Sequence, residues 1–463
     1  MADIVVCGAG ACGLVTAMLL AKDGHDVVVL ERDPMEPPAP ADAWDAWERR
    51  GVTQFRLAHF LMPRWRHEMA DALPEVLDAF AAAGAYEVNF FGPFREVVPS
   101  PERFDVMTAR RPILDAVLSA VAAGMPGIEI RRGVAIAGLE VAATPVAPGI
   151  PHATGVRTEA GDVVPADLVV ASTGRRSPLT RWLADLGAKP AHEEKEDSGF
   201  VYYGRYLRSR DGSQLVVRPG LADFGSVGLL ALPADDGTCG IGIIGTSDDA
   251  SLRPLREEDA WWRVLAALPG GEALVGSEPI SPLVSMAGIE DCYRRFVVDG
   301  MPVATGVVAV ADAWAATNPT LGRGITLGTM HAIAFRDVVR EHLDDPLTLS
   351  LALDEVTERV FTPWYRSTVW QDRHKLHAYA AAVHHDAPAP SGDERWDQLV
   401  RFMSLLGSDL EASVLFVDCA AFLSRTPEEL LADPVVQAKL PADAPLPKHA
   451  GPTRAQLLDL VAG

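Results

Sequence analysis

Lysine is missing from a long N-terminal stretch of this 463-residue chain, with none between Lys22 and Lys189. Basic residues as a whole are outnumbered, 41 against 63 acidic, for a formal net charge of −22. A field of that sign argues against a nucleic acid or an anionic membrane as the main partner. Cysteine is scarce as well. Cys7, Cys12, Cys239, Cys292 and Cys419 stand at no metal-ligand spacing, so neither a disulfide scaffold nor a zinc site is expected, and a reducing cytoplasm fits. No apolar run approaches the ~20 residues that cross a bilayer, so integral membrane association is not expected. The first apolar run follows Asp3 rather than a basic patch and breaks at once at Gly8, Gly10 and Gly13, which speaks against a targeting segment. Adjacent residues on a helix point apart, so His384-His385-Asp386 reads as solvated and no metal site is expected.

What is present is concentrated at the N-terminus. Ile4-Val5-Val6-Cys7 suits a buried parallel strand, Gly8-Ala9-Gly10-Ala11-Cys12-Gly13 follows, and Leu14 to Lys22 has helical spacing. A second strand, Asp26 to Leu30, ends at Glu31. Gly8 serves the tight turn, Gly10 lets a pyrophosphate approach the backbone, and Gly13 lets helix and strand pack closely. The helix N-terminus then offers N–H groups and a positive dipole end to phosphates. Glu31 stands where a carboxylate accepts from ribose hydroxyls, and Arg32 lies over the adenine or in solvent. A second GxGxxG, Gly240 to Gly245, is followed by Thr246-Ser247-Asp248-Asp249 rather than an apolar helix. Alternation from Leu229 through Ile244 reads it as antiparallel strand, so no nicotinamide-binding Rossmann unit is expected there.

Three later segments bear on which dinucleotide binds: Thr108 to Asp115, Gly306 to Gly324, and Ser172 to Pro178. Through them the chain resembles the flavoprotein monooxygenases of the p-hydroxybenzoate hydroxylase fold. The first is Thr108 to Asp115, where Arg111 followed by Leu114 matches the family, implying a guanidinium on the phosphate or ribityl chain of FAD. Gly133-Val134 ends a strand where such proteins offer backbone to the adenine. The second is the strand Gly306 to Ala311 ending at Asp312, then Asn318-Pro319-Thr320-Leu321-Gly322-Arg323-Gly324 before an apolar helix. The resemblance implies that Asp312 binds ribityl hydroxyls, although the family usually has Gly-Asp where this chain has Ala311-Asp312. It also implies that the loop running through Pro319, Gly322 and Gly324 brings backbone N–H groups and a helix N-terminus to the flavin N1/O2 edge, with Arg323 a candidate to stabilise charge there. In the third, Ser172-Thr173-Gly174-Arg175-Arg176-Ser177-Pro178, Thr173 stands where many single-component hydroxylases carry an Asp linked to NAD(P)H handling. That departure points toward a separate flavin reductase as partner, with direct reduction by NAD(P)H the alternative. Arg50 to His59 and Asp197 to Tyr202 further resemble the polyether-type flavin epoxidases, in which the Gln54 to His59 loop passes along the flavin.

The fold class expected is α/β: a Rossmann-type FAD-binding domain, an inserted mainly antiparallel β-sheet substrate domain and a C-terminal helical region. Residues 1–75, 101–187 and 285–345 are assigned to the first, 76–100 and 188–284 to the second, and 346–463 to the third. Strands are expected over Phe200 to Leu207, Gln214 to Arg218, Val227 to Leu232 and Cys239 to Thr246, with linkers at Ala387–Gly392 and Pro441–Pro452. Phe90, Phe91, Tyr202, Tyr203, Tyr206 and Trp314 are candidates to line the substrate cavity. No residue is assigned a catalytic role. The resemblance implies a monooxygenase in which reduced FAD and O2 form a C4a-hydroperoxide that delivers one oxygen atom to a small lipophilic substrate. Alkene epoxidation or aromatic hydroxylation in specialised metabolism would follow. The rival is a reductase of isoprenoid double bonds resembling geranylgeranyl reductase. Halogenases of this fold need a lysine in the Lys-free stretch and a Trp-x-Trp-x-Ile-Pro segment, and both are missing.

Overall fold

The computed structural model describes residues 1–215, 217, 219–385, 390–440, 446, 447 and 450–463. The expected strand Gln214–Arg218, the two linkers and Asp386 therefore lie wholly or partly outside the described residues.

Short Val-rich segments buried on both faces need cover on both faces, and they form a parallel sheet. Its order is Val307–Ala309, Leu168–Ala171, Asp3–Cys7, Asp26–Glu31 and Ile128–Arg132, all parallel. Side chains alternate between two cores. Ile4, Val6, Val27 and Val29 face the helices Ala11–Lys22 (α1) and Arg111–Gly124 (α2), through Leu14, Val15, Met18, Leu114 and Val117. Val5, Cys7, Val169 and Ala171 face a three-stranded meander, Ile136–Val141, Ala153–Thr158 and Val163–Pro165, through Leu139, Val156 and Val164. The chain also crosses the first face in the 19-residue helix Gly324–His342 (α3), which packs against α1.

The second sheet is antiparallel. Gly220–Phe224, Val227–Pro233, Thr238–Thr246 and Phe200–Arg208 follow in order, with Glu278–Pro279 and Val284–Met286 on the outer edge of Phe200–Arg208. The second GxGxxG is strand, as the alternation required, and its glycines answer to packing. A Cβ on Gly240 would stand 2.7 Å from the Ala58 methyl and 2.8 Å from its Cα. The bare glycine thus lets the Gln54–His59 loop lie on the sheet. A Cβ on Gly245 would meet Leu252 at 2.5 Å. One face of the sheet buries Val201, Tyr203, Leu207 and Ile243 against Trp261 and Leu265 of the helix Glu258–Ala267. The C-terminal helix Arg454–Ala462 returns to this face and adds Leu457 and Val461. The 23-residue helix Thr362–His384 (α4) packs on the opposite face, where Tyr379 joins Phe200, Tyr202 and Ile244.

A buried ion pair ties the two sheets together. Arg110, at the N-terminus of α2, donates from Nε to Asp235 Oδ2 at 3.0 Å and from Nη2 to the same oxygen at 2.5 Å. Its backbone N–H donates to Oδ1 at 2.7 Å, and its guanidinium lies 4.6 Å from the Trp44 ring. Both side chains are about 5% exposed, so removing one partner strands a charge in a low-dielectric site. Asp235→Ala is expected to lower unfolding free energy by about 3–5 kcal/mol, read as the urea midpoint. A loss below about 1 kcal/mol would mean that water reaches the pair.

Candidate functional site

The glycine segment folds as its sterics demand. Gly8 has φ +108°, and a Cβ there would lie 2.6 Å from the Ser172 carbonyl oxygen. A Cβ on Gly13 would lie 2.1 Å from the Gly8 oxygen, so α1 can sit this close to the strand only with glycine at position 13. Around Gly10 nothing stands within 4 Å of a Cβ, and no side chain caps the N-terminus of α1. The first-turn N–H groups of α1 therefore open onto free space.

That space is one continuous cavity of about 3180 Å³, and Gly8, Gly10, Gly13, Glu31, Arg32, Gln54, His59, Arg111 and Val134 all line it. So do Asp312, Pro319, Gly322, Arg323 and Gly324 from the far end of the parallel sheet. Gly322 takes φ +64° after the turn Pro319–Leu321, and α3 begins at Gly324, again with no side-chain cap. Two uncapped helix N-termini thus face one chamber, larger than the roughly 300–1,000 Å³ that serves a single small ligand.

Several of these side chains are already engaged within the protein. Glu31 accepts from Ala9 N–H at 3.0 Å and Arg49 Nη2 at 2.7 Å through Oε2, and from Asp33 N–H at 3.0 Å through Oε1. Arg49 continues to Asp115 Oδ2 at 3.1 Å, and Asp115 Oδ1 accepts from Arg111 Nε at 2.5 Å. Arg111 Nη1 is 3.3 Å from His59 Nε2, and His59 Nδ1 is 3.0 Å from the Leu57 oxygen. Burial, aided by the Arg111 charge, pushes the His59 imidazole down to about 4, so it is neutral near pH 7. The Val134 N–H is taken by the Glu31 carbonyl at 2.9 Å, and Gln54 accepts from the Thr53 hydroxyl at 3.1 Å. Arg32 is exposed, its guanidinium against Gly51.

Asp312 differs from these. Its carboxylate accepts no hydrogen bond from any described residue, yet burial raises its pKa against the opposing pull of Arg175, Arg111 and Arg294. A half-buried acceptor on the cavity wall, with two uncapped helix ends on the same chamber, is the donor and acceptor set that an extended dinucleotide requires. The residues present fit FAD. Thr173 gives its hydroxyl to Ser177 Oγ at 2.7 Å and also lines the chamber.

Among the substrate candidates, Phe90 and Phe91 line the cavity, edge-on to Phe60 and Phe104 at 5.8 and 4.9 Å. Tyr202 lines it with its hydroxyl on Asn318 Oδ1 at 2.6 Å. Trp314 reaches the wall, but its ring packs between His331, Phe361 and Tyr293. Two expectations are corrected. Strand alternation turns Tyr203 to the opposite face, beside Trp261, whose Nε1 donates to the Tyr203 carbonyl at 2.9 Å. Tyr206 is sealed under the Gln54–His59 loop, edge-on to Trp44 at 5.1 Å, with its hydroxyl on the Leu57 oxygen at 3.3 Å. Arg323 is turned aside too. Nη1 donates to Thr368 Oγ1 at 2.9 Å, and the guanidinium lies 5.2 and 5.5 Å from the Trp364 and Phe422 rings. Burial without a carboxylate partner pushes its pKa down to about 10.

The sequence reading missed Arg49, Asp115, Asp291, Asp372 and His331. Only Asp115 carried a local signal, standing four residues after Arg111 on one helix face. Asp291 and Asp372 flank Asn318. Asp291 Oδ1 accepts the Asn318 N–H at 2.6 Å, and Asp372 accepts from Thr320 Oγ1 at 2.7 Å and Asn318 Nδ2 at 3.3 Å.

The fold has counterparts. Residues 6–35 match the NAD(P)-binding Rossmann-like domain. Protein Rv3254 of Mycobacterium tuberculosis is 29% identical over 348 residues, 71% of each chain. Of solved structures, pqsL, a probable FAD-dependent monooxygenase from Pseudomonas aeruginosa, superposes with a TM-score of 0.60 at 18% identity, over 82% of this chain and 96% of its own. The chain has the fold of the FAD-dependent monooxygenases. The same fold recurs in the Diels-Alderase PyrE3 of pyrroindomycin biosynthesis, with a TM-score of 0.60 at 15% identity over 92% of this chain and 82% of that one. Fold alone therefore does not fix the chemistry.

Burial holds the Asp291 carboxyl at about 7. In the unfolded chain an aspartate titrates near ~3.9. Between those values the unfolded state ionises while the folded state keeps its proton, so this group's contribution to stability is full below pH ~4 and is lost as pH rises toward 7. Asp291→Asn keeps an acceptor for Asn318 and cannot ionise. Its urea midpoint is expected to gain on the wild type from pH 4 to 7, whereas parallel curves would place Asp291 in water.

Proposed function

We propose that the protein is an FAD-dependent monooxygenase that transfers one oxygen atom from O2 to a lipophilic substrate, with alkene epoxidation the leading reaction and aromatic hydroxylation next. The observation that carries this reading is the single chamber, into which two uncapped helix ends and the unpartnered Asp312 open at one side. At the other side stand apolar residues including Phe60, Phe90, Leu230, Leu232 and Met286.

In this reading the first turn of α1 holds the pyrophosphate, Arg111 lies along the chain between the two halves of FAD, and Asp312 accepts from its hydroxyls. The N-terminus of α3 stabilises negative charge on the ring system. A bound, reduced flavin would supply two electrons to O2, so that one oxygen atom could be attacked by an alkene or an electron-rich ring while the other left as water. The chain's own contribution is orientation and exclusion of water. The sheet face and the aromatic wall hold an apolar substrate, and dryness suppresses loss of the oxygen atom to solvent. Tyr202, fixed on Asn318, is the polar group placed to orient it.

Epoxidation is favoured because both stretches resembling the polyether-type epoxidases reach the chamber: the Gln54–His59 loop, laid on Gly240, and the strand that carries Tyr202. Thr173, where an acid would assist NAD(P)H, favours a separate reductase as the source of electrons.

The test is isotope transfer. The FAD-loaded protein, reduced photochemically without oxygen, is mixed with ¹⁸O2 and a panel of lipophilic polyenes and phenols. A product heavier by one ¹⁸O atom is expected. A product that instead gains two hydrogens in the absence of O2 would replace the reading with double-bond reduction.

A further inference from the structure

Asp312 follows an unusual residue. Ala311 has φ +55°, a left-handed conformation that its Cβ disfavours, in the tight turn between the strand Val307–Ala309 and the chamber. Two residues of α3 accommodate that turn. Gly328 makes room, since a Cβ there would stand 2.8 Å from the Ala311 methyl and 2.6 Å from Cys12 Sγ. His331, three residues on, presents Nδ1 to the Ala311 N–H at 3.2 Å.

The imidazole is itself fixed. An Nδ1 that accepts must leave the proton on Nε2, and Nε2 stands 3.0 Å from Thr357 Oγ1. Thr357 opens the π-helical turn Thr357–Phe361. The ring is 1% exposed, with Trp314 and Phe361 at 4.9 and 5.0 Å, and burial pushes its pKa down to about 3. It therefore remains an acceptor at any working pH. A protonated ring would set N–H against N–H.

We propose that His331 is a positioning residue for the cofactor, holding the left-handed Ala311 peptide through Nδ1 so that Asp312 presents its carboxylate to the chamber. The proposal rests on the reading of that chamber as a flavin site. It assigns His331 no contact with FAD; the histidine acts through the backbone alone.

Glycine at position 311 adopts the same conformation without strain, so it makes the clamp dispensable. The experiment is the Kd of FAD for the full-length deflavinated chain, followed by flavin fluorescence, in wild type, H331F, H331Q, A311G and A311G/H331F. Phenylalanine keeps aromatic volume and loses the acceptor, while glutamine keeps an acceptor. H331F is expected to weaken FAD about tenfold, and H331Q and A311G to stay within about threefold of wild type. A311G/H331F is expected to return to within about threefold of wild type. An unchanged Kd in H331F, or a double variant as weak as H331F, would overturn the proposal, the latter by showing general damage to the core. Should H331F not fold, T357V takes its place by removing only the Nε2 partner. Weaker binding rescued by A311G supports the clamp, and unchanged binding overturns it. A wild-type chain that takes up no FAD would overturn the flavin reading as well, whereas tight wild-type binding with a flat series overturns only the role of His331.

Discussion

The 2.1 Å that would separate a Gly13 Cβ from the Gly8 oxygen sets the depth at which α1 enters the parallel sheet. Because α1 sits that deep, its first turn opens onto the chamber at the C-terminal ends of the strands Asp3–Cys7 and Leu168–Ala171. The chamber can then be shared with residues arriving from the neighbouring strand Val307–Ala309. A methyl group at Gly13 would move the helix, and with it the orphan N–H groups, away from Asp312 and the start of α3. Much of the architecture serves to keep that chamber open and walled: the second sheet on one side, the Gln54–His59 loop across Gly240, and α4 against the Asn318–Gly324 loop.

A buried chain of charge holds the entrance together. Glu31, Arg49, Asp115 and Arg111 alternate in sign and connect a strand end, a loop and α2, with His59 at the end of the line. All four charged side chains are less than 10% exposed, and such an arrangement gives little net stability for the desolvation it costs. Its value is geometric. With Asp115 drawing on Nε and His59 beside Nη1, Arg111 is held at the chamber wall, and Glu31 keeps its place beside the glycine turn. Asn318 has the same kind of support, with Asp291 on its backbone N–H, Asp372 on Nδ2 and Tyr202 on Oδ1.

The parts legible in the sequence were those whose cause is local. Gly8 is required by its left-handed turn and Gly13 by its contact with the Gly8 oxygen, both within one strand–turn–helix unit, and the strand through Gly240 to Gly245 follows from alternation alone. Tyr203 was legible in principle, since neighbours on a strand point oppositely and Tyr202 and Tyr203 could not both face the chamber. The remainder depends on distant partners. At Ala311 the one local signal of a left-handed turn is the Gly that the resembling family usually has there; the support itself comes from His331 and Thr357 on other helices. Arg49 looks like half of an ordinary Arg-Arg pair until Glu31 and Asp115 converge on it. Arg323 sits in a glycine-flanked turn that suggests a cofactor contact, but Trp364, Phe422 and Thr368, all from the helical region, turn it aside.

The central claim is that the two helix N-termini serve two separate parts of one extended ligand, its pyrophosphate and its ring system. Competition calorimetry on the deflavinated protein tests it most directly, with FAD titrated in the presence of excess ADP, of FMN, or of NAD. The account predicts that ADP and FMN each displace part of the FAD binding energy, that neither alone approaches the affinity of FAD, and that NAD competes no better than ADP. Binding of ADP that leaves FMN without effect, or NAD that binds as tightly as FAD, would contradict it.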